Sequence, residues 1–178
     1  MLLTCFPHPF LCLVCLFVFQ LLADFTVSLN TTRVVVITYS SVDRVIRQID
    51  HISRPGPQFH KCHLLEVEIP GLTYNSGGTY TLGALMQAVE VLQFSRPHSR
   101  KAIFLITDGY SNGGDPRPTA ELLKTLGVEL FTFGIRNGNV KELEAMASDP
   151  KDEHCFIVDS FEEFEALARR ALHEGTHS

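Results

Sequence analysis

Residues 102–115 read AIFLITDGYSNGGD, and the fold follows from how that stretch divides. Ala102 to Thr107 is an apolar run without polar alternation, the pattern of a strand buried on both faces of a parallel sheet. Asp108 and Gly109 end it as strong turn formers. Residues 34–38, VVVIT, have the same character. Between such runs the period changes. Leu82, Leu85, Ala88, Val89 and Leu92 recur at helical spacing over residues 81–92, and residues 117–126 form a second helix, with Pro118 in its first turn and Gly127 just past its end. Residues 44–49 are expected as a return strand at a sheet edge, and residues 59–67 as a helix closed by Pro70 and Gly71. A strand at 129–133 leads to a helix capped by Asn139 and Glu142 that carries Leu143, Met146 and Ala147. A short strand at 155–158 precedes a last helix, capped by Ser160 and Glu163, with Phe161, Phe164, Leu167, Ala168 and Ala171 as its apolar stripe. This alternation predicts an α/β fold with a doubly wound, mostly parallel sheet, helices on both faces, and ligands beyond the carboxyl ends of the strands.

Composition narrows the class. At 178 residues, 45% hydrophobic and 20% charged, the chain has the make-up of one globular domain. Its 15 Lys and Arg against 20 Asp and Glu give a net charge of -5, and no basic run offers a landing site for nucleic acid.

The first 23 residues differ in kind from the rest, since no Lys, Arg, Asp or Glu precedes Asp24 and residues 10–19 read FLCLVCLFVF. Three readings stand: a signal-like leader with cleavage after Ala23, a strand of the sheet, or a membrane anchor. The expected division is a leader over 1–23, a domain over 24–174 and a tail over 175–178. Cys5, Cys12 and Cys15 lie in the leader, so Cys62 and Cys155 are left to pair in the body as a disulfide. The competing use of that region is a nitrogen and sulfur metal site from His60, Cys62, His63, His154 and Cys155, whose spacings match no usual zinc motif. Asn30 begins an N-T-T glycosylation triplet, which suits a secreted chain.

Two loops carry the candidate chemistry: SGGTYT at residues 76–81 before a helix, and DGYSNGGD at 108–115 after a strand. Thr79 reads either as a helix cap or as an oxygen ligand of a hard divalent cation, and Asp108 either as a turn residue or as a second ligand. Asp115 reads as a turn and cap residue. GGTYT and FLITDGYSNGGDPRP resemble the second and third metal-site segments of the von Willebrand factor type A domain family, and the likeness extends over about residues 21–173. FTFGI at 131–135 and EEFEALARRALHE at 162–174 are similar to one large secreted, multi-modular member. The resemblance implies an adhesion module whose metal site uses an Asp-x-Ser-x-Ser motif on the first strand, a Thr and an Asp. Carried over, the Thr is Thr79 and the Asp is Asp108.

No D-x-S-x-S occurs in this chain. The first, central strand of the resembled fold is therefore missing or replaced, with residues 10–19 the expected replacement, and two ligands are expected to bind Mg²⁺ weakly if at all. The leading functional reading is a secreted, extracellular module that binds a protein ligand through Ser76, Gly77, Gly78, Tyr110 and Asn112 around Thr79 and Asp108. Membrane association follows only if the leader is uncleaved. The alternative is a truncated chain without independent binding activity. An enzyme is the weaker reading still, since neither the G-x-G-x-x-G turn nor the P-loop of dinucleotide and phosphate chemistry is present.

Overall fold

The computed structural model describes residues 2–4, 18, 22, 25–54, 56, 60–73, 77–135, 139–160 and 163. Their strands form one six-stranded sheet in the order β3-β2-β1-β4-β5-β6. Its members are β1 (Leu2–Thr4), β2 (Val35–Tyr39), β3 (Val45–Asp50), β4 (Lys101–Thr107), β5 (Val128–Ile135) and β6 (Cys155–Val158). All neighbours are parallel except β2 and β3, so the charged return strand is an antiparallel edge. The helices are α1 (Lys61–His63), which widens into a π-helical turn over Leu64–Glu68, then α2 (Thr81–Leu92), α3 (Arg117–Thr125), α4 (Val140–Met146) and α5 (Lys151–His154).

The central slot is filled, though not where residues 10–19 would put it. Leu2 is level with Ile37 on β2 and Leu105 on β4, and Leu3 with Thr38 and Ile106. Of residues 10–19 only Val18 is described, and it is helical, accepting from the Leu22 N–H at 3.0 Å. A parallel crossover needs about a dozen residues and usually a helix. A strand at the start of the chain leaves Val18 and Leu22 in the crossover, where both are buried against Val34, Val36 and Ile106. The Ala23 boundary and the apolar helix expected from Phe161 to Ala171 lie outside the described residues.

Strand alternation sends side chains into two cores. Val36, Ile106, Phe133 and Val158 face Val18, Leu22, Leu64 and Ile69 on one side. Ile37, Tyr39, Leu105 and Leu130 face Leu85, Leu123, Leu143 and Met146 of α2, α3 and α4 on the other. Burial on both faces explains why the central strands read as continuous apolar runs. Gly127 ends the turn after α3 with φ +74°, a conformation that favours glycine. No described helix is long and apolar enough to cross a membrane.

The two cores decide the cysteines. Cys62 is an exposed free thiol on α1, whose helix packs on the first face, whereas Cys155 points into the second core. The sheet stands between them, and a disulfide needs Cα atoms within about 7 Å, so the expected Cys62–Cys155 bond is not formed. Burial pushes the Cys155 thiol up from its ordinary pKa. The competing metal reading fails for the same reason. His60 caps α1 through the His63 N–H, while His154 bonds the Pro150 carbonyl at 2.9 Å and Glu129 Oε1 at 3.2 Å. Among the described residues no group of three His, Cys, Asp or Glu could hold a metal ion.

Candidate functional site

Three strand-end loops meet at the carboxyl edge of the sheet. The loop after β2 gives the Ser40 carbonyl to the Tyr80 N–H at 2.7 Å, and the loop after β4 gives the Asn112 N–H to the Thr79 carbonyl at 2.8 Å. Glycines allow the approach. A Cβ on Gly78 would lie 2.2 Å from Asn112 Nδ2, and one on Gly109 would lie 2.7 Å from Thr79 Oγ1. The Tyr80 ring is held between Gly83 and Gly113, where added Cβ atoms would meet it at 2.2 and 2.6 Å. Thr79 is not the cap of α2. Tyr80 occupies the cap position and makes no side-chain cap bond, because the Thr79 side chain is turned toward Gly109.

The structure thus brings together Gly77, Gly78, Thr79, Asp108 and Asn112. Gly77 lies against Ser40 and Ser41, and Asp108 and Asn112 are exposed. Tyr110 is 65% exposed at the tip of its loop. Ser76 lies outside the described residues. Asp115 is a turn residue, as expected: it accepts from the Arg117 N–H at 3.0 Å and pairs with the Arg117 guanidinium at 2.8 Å. That pair holds its carboxyl below the usual range.

Beneath the loops is a layer that no local pattern announces. Ser111 donates to Thr81 Oγ1 at 2.8 Å, and its N–H points to Glu142 Oε2 at 3.4 Å. Tyr39 and Ser40 are fully buried there, and the Ser40 hydroxyl has no hydrogen-bond partner among the described residues. Burial holds the Tyr39 phenol well above its ordinary pKa; the hydroxyls of Thr81 and Thr107 work against this, and the carboxylates of Asp108 and Glu142 add to it. Tyr39 stays protonated at any physiological pH. Its one sequence signal is a polar tip at the end of an apolar run.

The same loop also contains a catalytic pattern that motif reading passed over, since residues 109–113 spell G-x-S-x-G. A nucleophile elbow holds its serine in a strained turn beside a histidine. Ser111 has no positive φ, the only described non-glycine residue that does being His98, and its hydroxyl is bonded to Thr81. The geometry is that of a structural serine.

The profile of the von Willebrand factor type A domain family matches residues 8–170. The match begins upstream of Leu21, consistent with Val18 and Leu22 standing in the core. The chain is 60% identical over 158 residues to sushi, von Willebrand factor type A, EGF and pentraxin domain-containing protein 1 of Rattus norvegicus, covering 89% of this chain and 4% of that protein. It is 34% identical over 157 residues to vitrin of Mus musculus, covering 88% of this chain and 23% of vitrin. Proximal thread matrix protein 1 from the mussel byssus shares the fold with a TM-score of 0.81 at 21% identity, over 98% of this chain and 44% of that one. The chain therefore spans a small part of the curated relatives it matches.

Proposed function

The chain belongs to the von Willebrand factor type A domain family, and from that premise we propose that it is an extracellular protein-binding module whose metal site is incomplete. The observation that carries the reading is the interlocked pair of loops at the strand ends, which present Tyr110, Asn112, Gly77 and Asp108 on one exposed face. Rigid loops on a parallel sheet are where this architecture binds ligands. Relatives named as collagen alpha chains and matrilin-4 support an extracellular setting, and Asn30 is exposed, as a glycosylation site must be.

The donor set supports the incomplete metal site. Thr79 offers one hydroxyl and Asp108 one carboxylate. After Thr4 the sequence runs CFPHP, without the carboxylate and hydroxyls of an Asp-x-Ser-x-Ser segment. Glu142, the next carboxylate, accepts from Ser111 and lies 3.5 Å from Asn139 Nδ2. Mg²⁺ requires near-octahedral oxygen coordination and dehydrates reluctantly, so this set does not fit it, and ligand contact rests on the loops themselves.

Solid-phase binding of the full chain to a panel of extracellular matrix proteins tests the reading. Saturable binding that is unchanged by EDTA and reduced at least tenfold in Tyr110→Ala/Asn112→Ala is expected. Binding abolished by EDTA would restore the metal, and binding indifferent to the double substitution would remove these loops from the interface. No saturable binding to any member of the panel would favour the alternative, a chain without binding activity of its own.

A further inference from the structure

At the amino edge of the sheet the fold gathers cations that the sequence keeps apart. Arg33 precedes β2, whereas Arg96, Arg100 and Lys101 belong to the turn that leads into β4. All four border one depression, and Glu129 is the single acid among the residues that line it. The Ser99 N–H and hydroxyl both donate to the Arg96 carbonyl, at 3.3 and 2.7 Å, so the chain reverses between Arg96 and Arg100. His98 makes that reversal with φ +61°, a conformation that non-glycine residues rarely adopt.

What holds these cations does not neutralise them. Arg33 Nε and Arg96 Nη1 donate to the Leu29 carbonyl at 3.0 and 3.3 Å, Arg96 Nη2 donates to the Thr31 carbonyl, and Lys101 Nζ donates to the Ser99 carbonyl at 3.2 Å. A carbonyl fixes a cation and leaves its charge in place. Glu129 comes within 3.8 Å of Arg100, whose side chain is 85% exposed, and the other Glu129 oxygen faces His154 at 3.2 Å. Beyond Arg100 and Lys101 the next cation, Lys124, is paired with Glu121 at 2.9 Å, so the group ends there. Like charges fixed side by side repel, and an anion laid across them removes that cost. Arg33 and Arg96 also tie the 29–31 loop to the turn, but Arg100 has no such task, because an exposed pair contributes little to stability.

We infer that this edge binds a sulfated polysaccharide. Three of the four cations are arginines, whose planar fork grips an oxyanion with two N–H groups at once. They are spread over the amino ends of β2 and β4, which flank β1 and so stand two strand spacings apart, about 9.6 Å. A polymer with repeated anions reaches all of them, and one small anion does not. The phosphates of a nucleic acid would meet the same cations. The extracellular setting of the proposed function selects the polysaccharide, a choice that rests on that reading alone. The polymer lies on the rim and needs nothing from the depression itself.

Fluorescence anisotropy of labelled heparin titrated with the full chain tests the inference, after enzymatic removal of any glycan from Asn30, which stands in the same loop. Saturable binding at about 0.15 M salt is expected, weakening as salt is raised because counterions screen the contacts. Arg100→Glu should reduce affinity by about fivefold or more with an unchanged melting temperature, and Arg96→Ala/Arg100→Glu by about tenfold or more. Lys141→Glu makes the same change of charge at an exposed position on α4, at the opposite edge of the sheet, and should leave affinity within about twofold. The proposal is overturned by the absence of saturable heparin binding, by indifference to Arg100→Glu, or by an equal loss in Lys141→Glu. Polyglutamate or single-stranded DNA of matched length binding as tightly as heparin would also overturn it. No matrix protein takes part in this measurement, so its failure leaves the strand-end loops untouched, and failure of the matrix-protein panel leaves this edge untouched.

Discussion

Tyr80 is positioned by what its neighbours lack. Its ring lies between Gly83, inside α2, and Gly113, in the loop after β4, so each loop depends on the other being glycine at the point of contact. Two effects compete in Gly83→Ala. A helix-interior glycine is about 1 kcal/mol less favourable than alanine, whereas forcing a methyl into occupied space costs about 1–3 kcal/mol. With Tyr80 Cε1 at 2.2 Å from the new Cβ, overpacking wins. Gly83→Ala should therefore be destabilising by up to about 2 kcal/mol in urea unfolding with an unchanged m-value, and the same change in a Tyr80→Ala background should be stabilising. A stabilising effect with Tyr80 present would contradict the sandwich. At this scale the sequence was legible where chemistry is local: Asp108 as a strand-ending residue, Asp115 as a turn residue, the Asn139 cap on Glu142. The contacts of Ser111 with Thr81 and Glu142 join residues about thirty apart, and nothing in any one segment signals them.

The decisive element is the shortest. β1 has three residues, yet it is the only described strand between β2 and β4, and its backbone is paired on both sides. Proline in a central strand removes a ladder donor wherever it falls. Leu3→Pro should lower the unfolding free energy by about 3 kcal/mol or more, seen as a lower urea midpoint or loss of a cooperative transition. An unchanged midpoint would show that the sheet does not use this strand. Elements with a strong period were legible to the residue, as in α2 over Thr81–Leu92 and β6 over Cys155–Val158. β5 runs further than the stretch expected at 129–133, because Gly134 and Ile135 continue the ladder to β6. The central strand was misplaced for a physical reason. Residues 10–19 are the more apolar run, but hydrophobicity alone does not tell a buried strand from a buried crossover helix, whereas the need for a crossover does. The helix expected at 59–67 is present as α1 with its π-helical continuation to Glu68, whereas the short α5 before β6 has too few residues for any period to show.

At the scale of the whole molecule, the described strands form one six-stranded sheet, and its strand-end loops carry the ligand face of the proposed function. Both cores are closed, on one side by Val18, Leu22, Leu64 and Ile69 and on the other by α2, α3 and α4, so the loops around Thr79 and Asp108 are held in place whatever the first strand contributes. What that strand does not contribute is the Asp-x-Ser-x-Ser chemistry, which its sequence lacks. Fold and ligand chemistry are thus separable here: any segment with strand geometry can supply the backbone pairing of a central strand, but only particular side chains can supply metal oxygens. Isothermal titration of the full chain with Mg²⁺ tests that separation most directly. The incomplete site predicts no saturable heat corresponding to a dissociation constant below about 100 μM. A tighter constant, equivalent to more than about 5 kcal/mol of binding, would mean that other oxygens complete the site and would contradict the account.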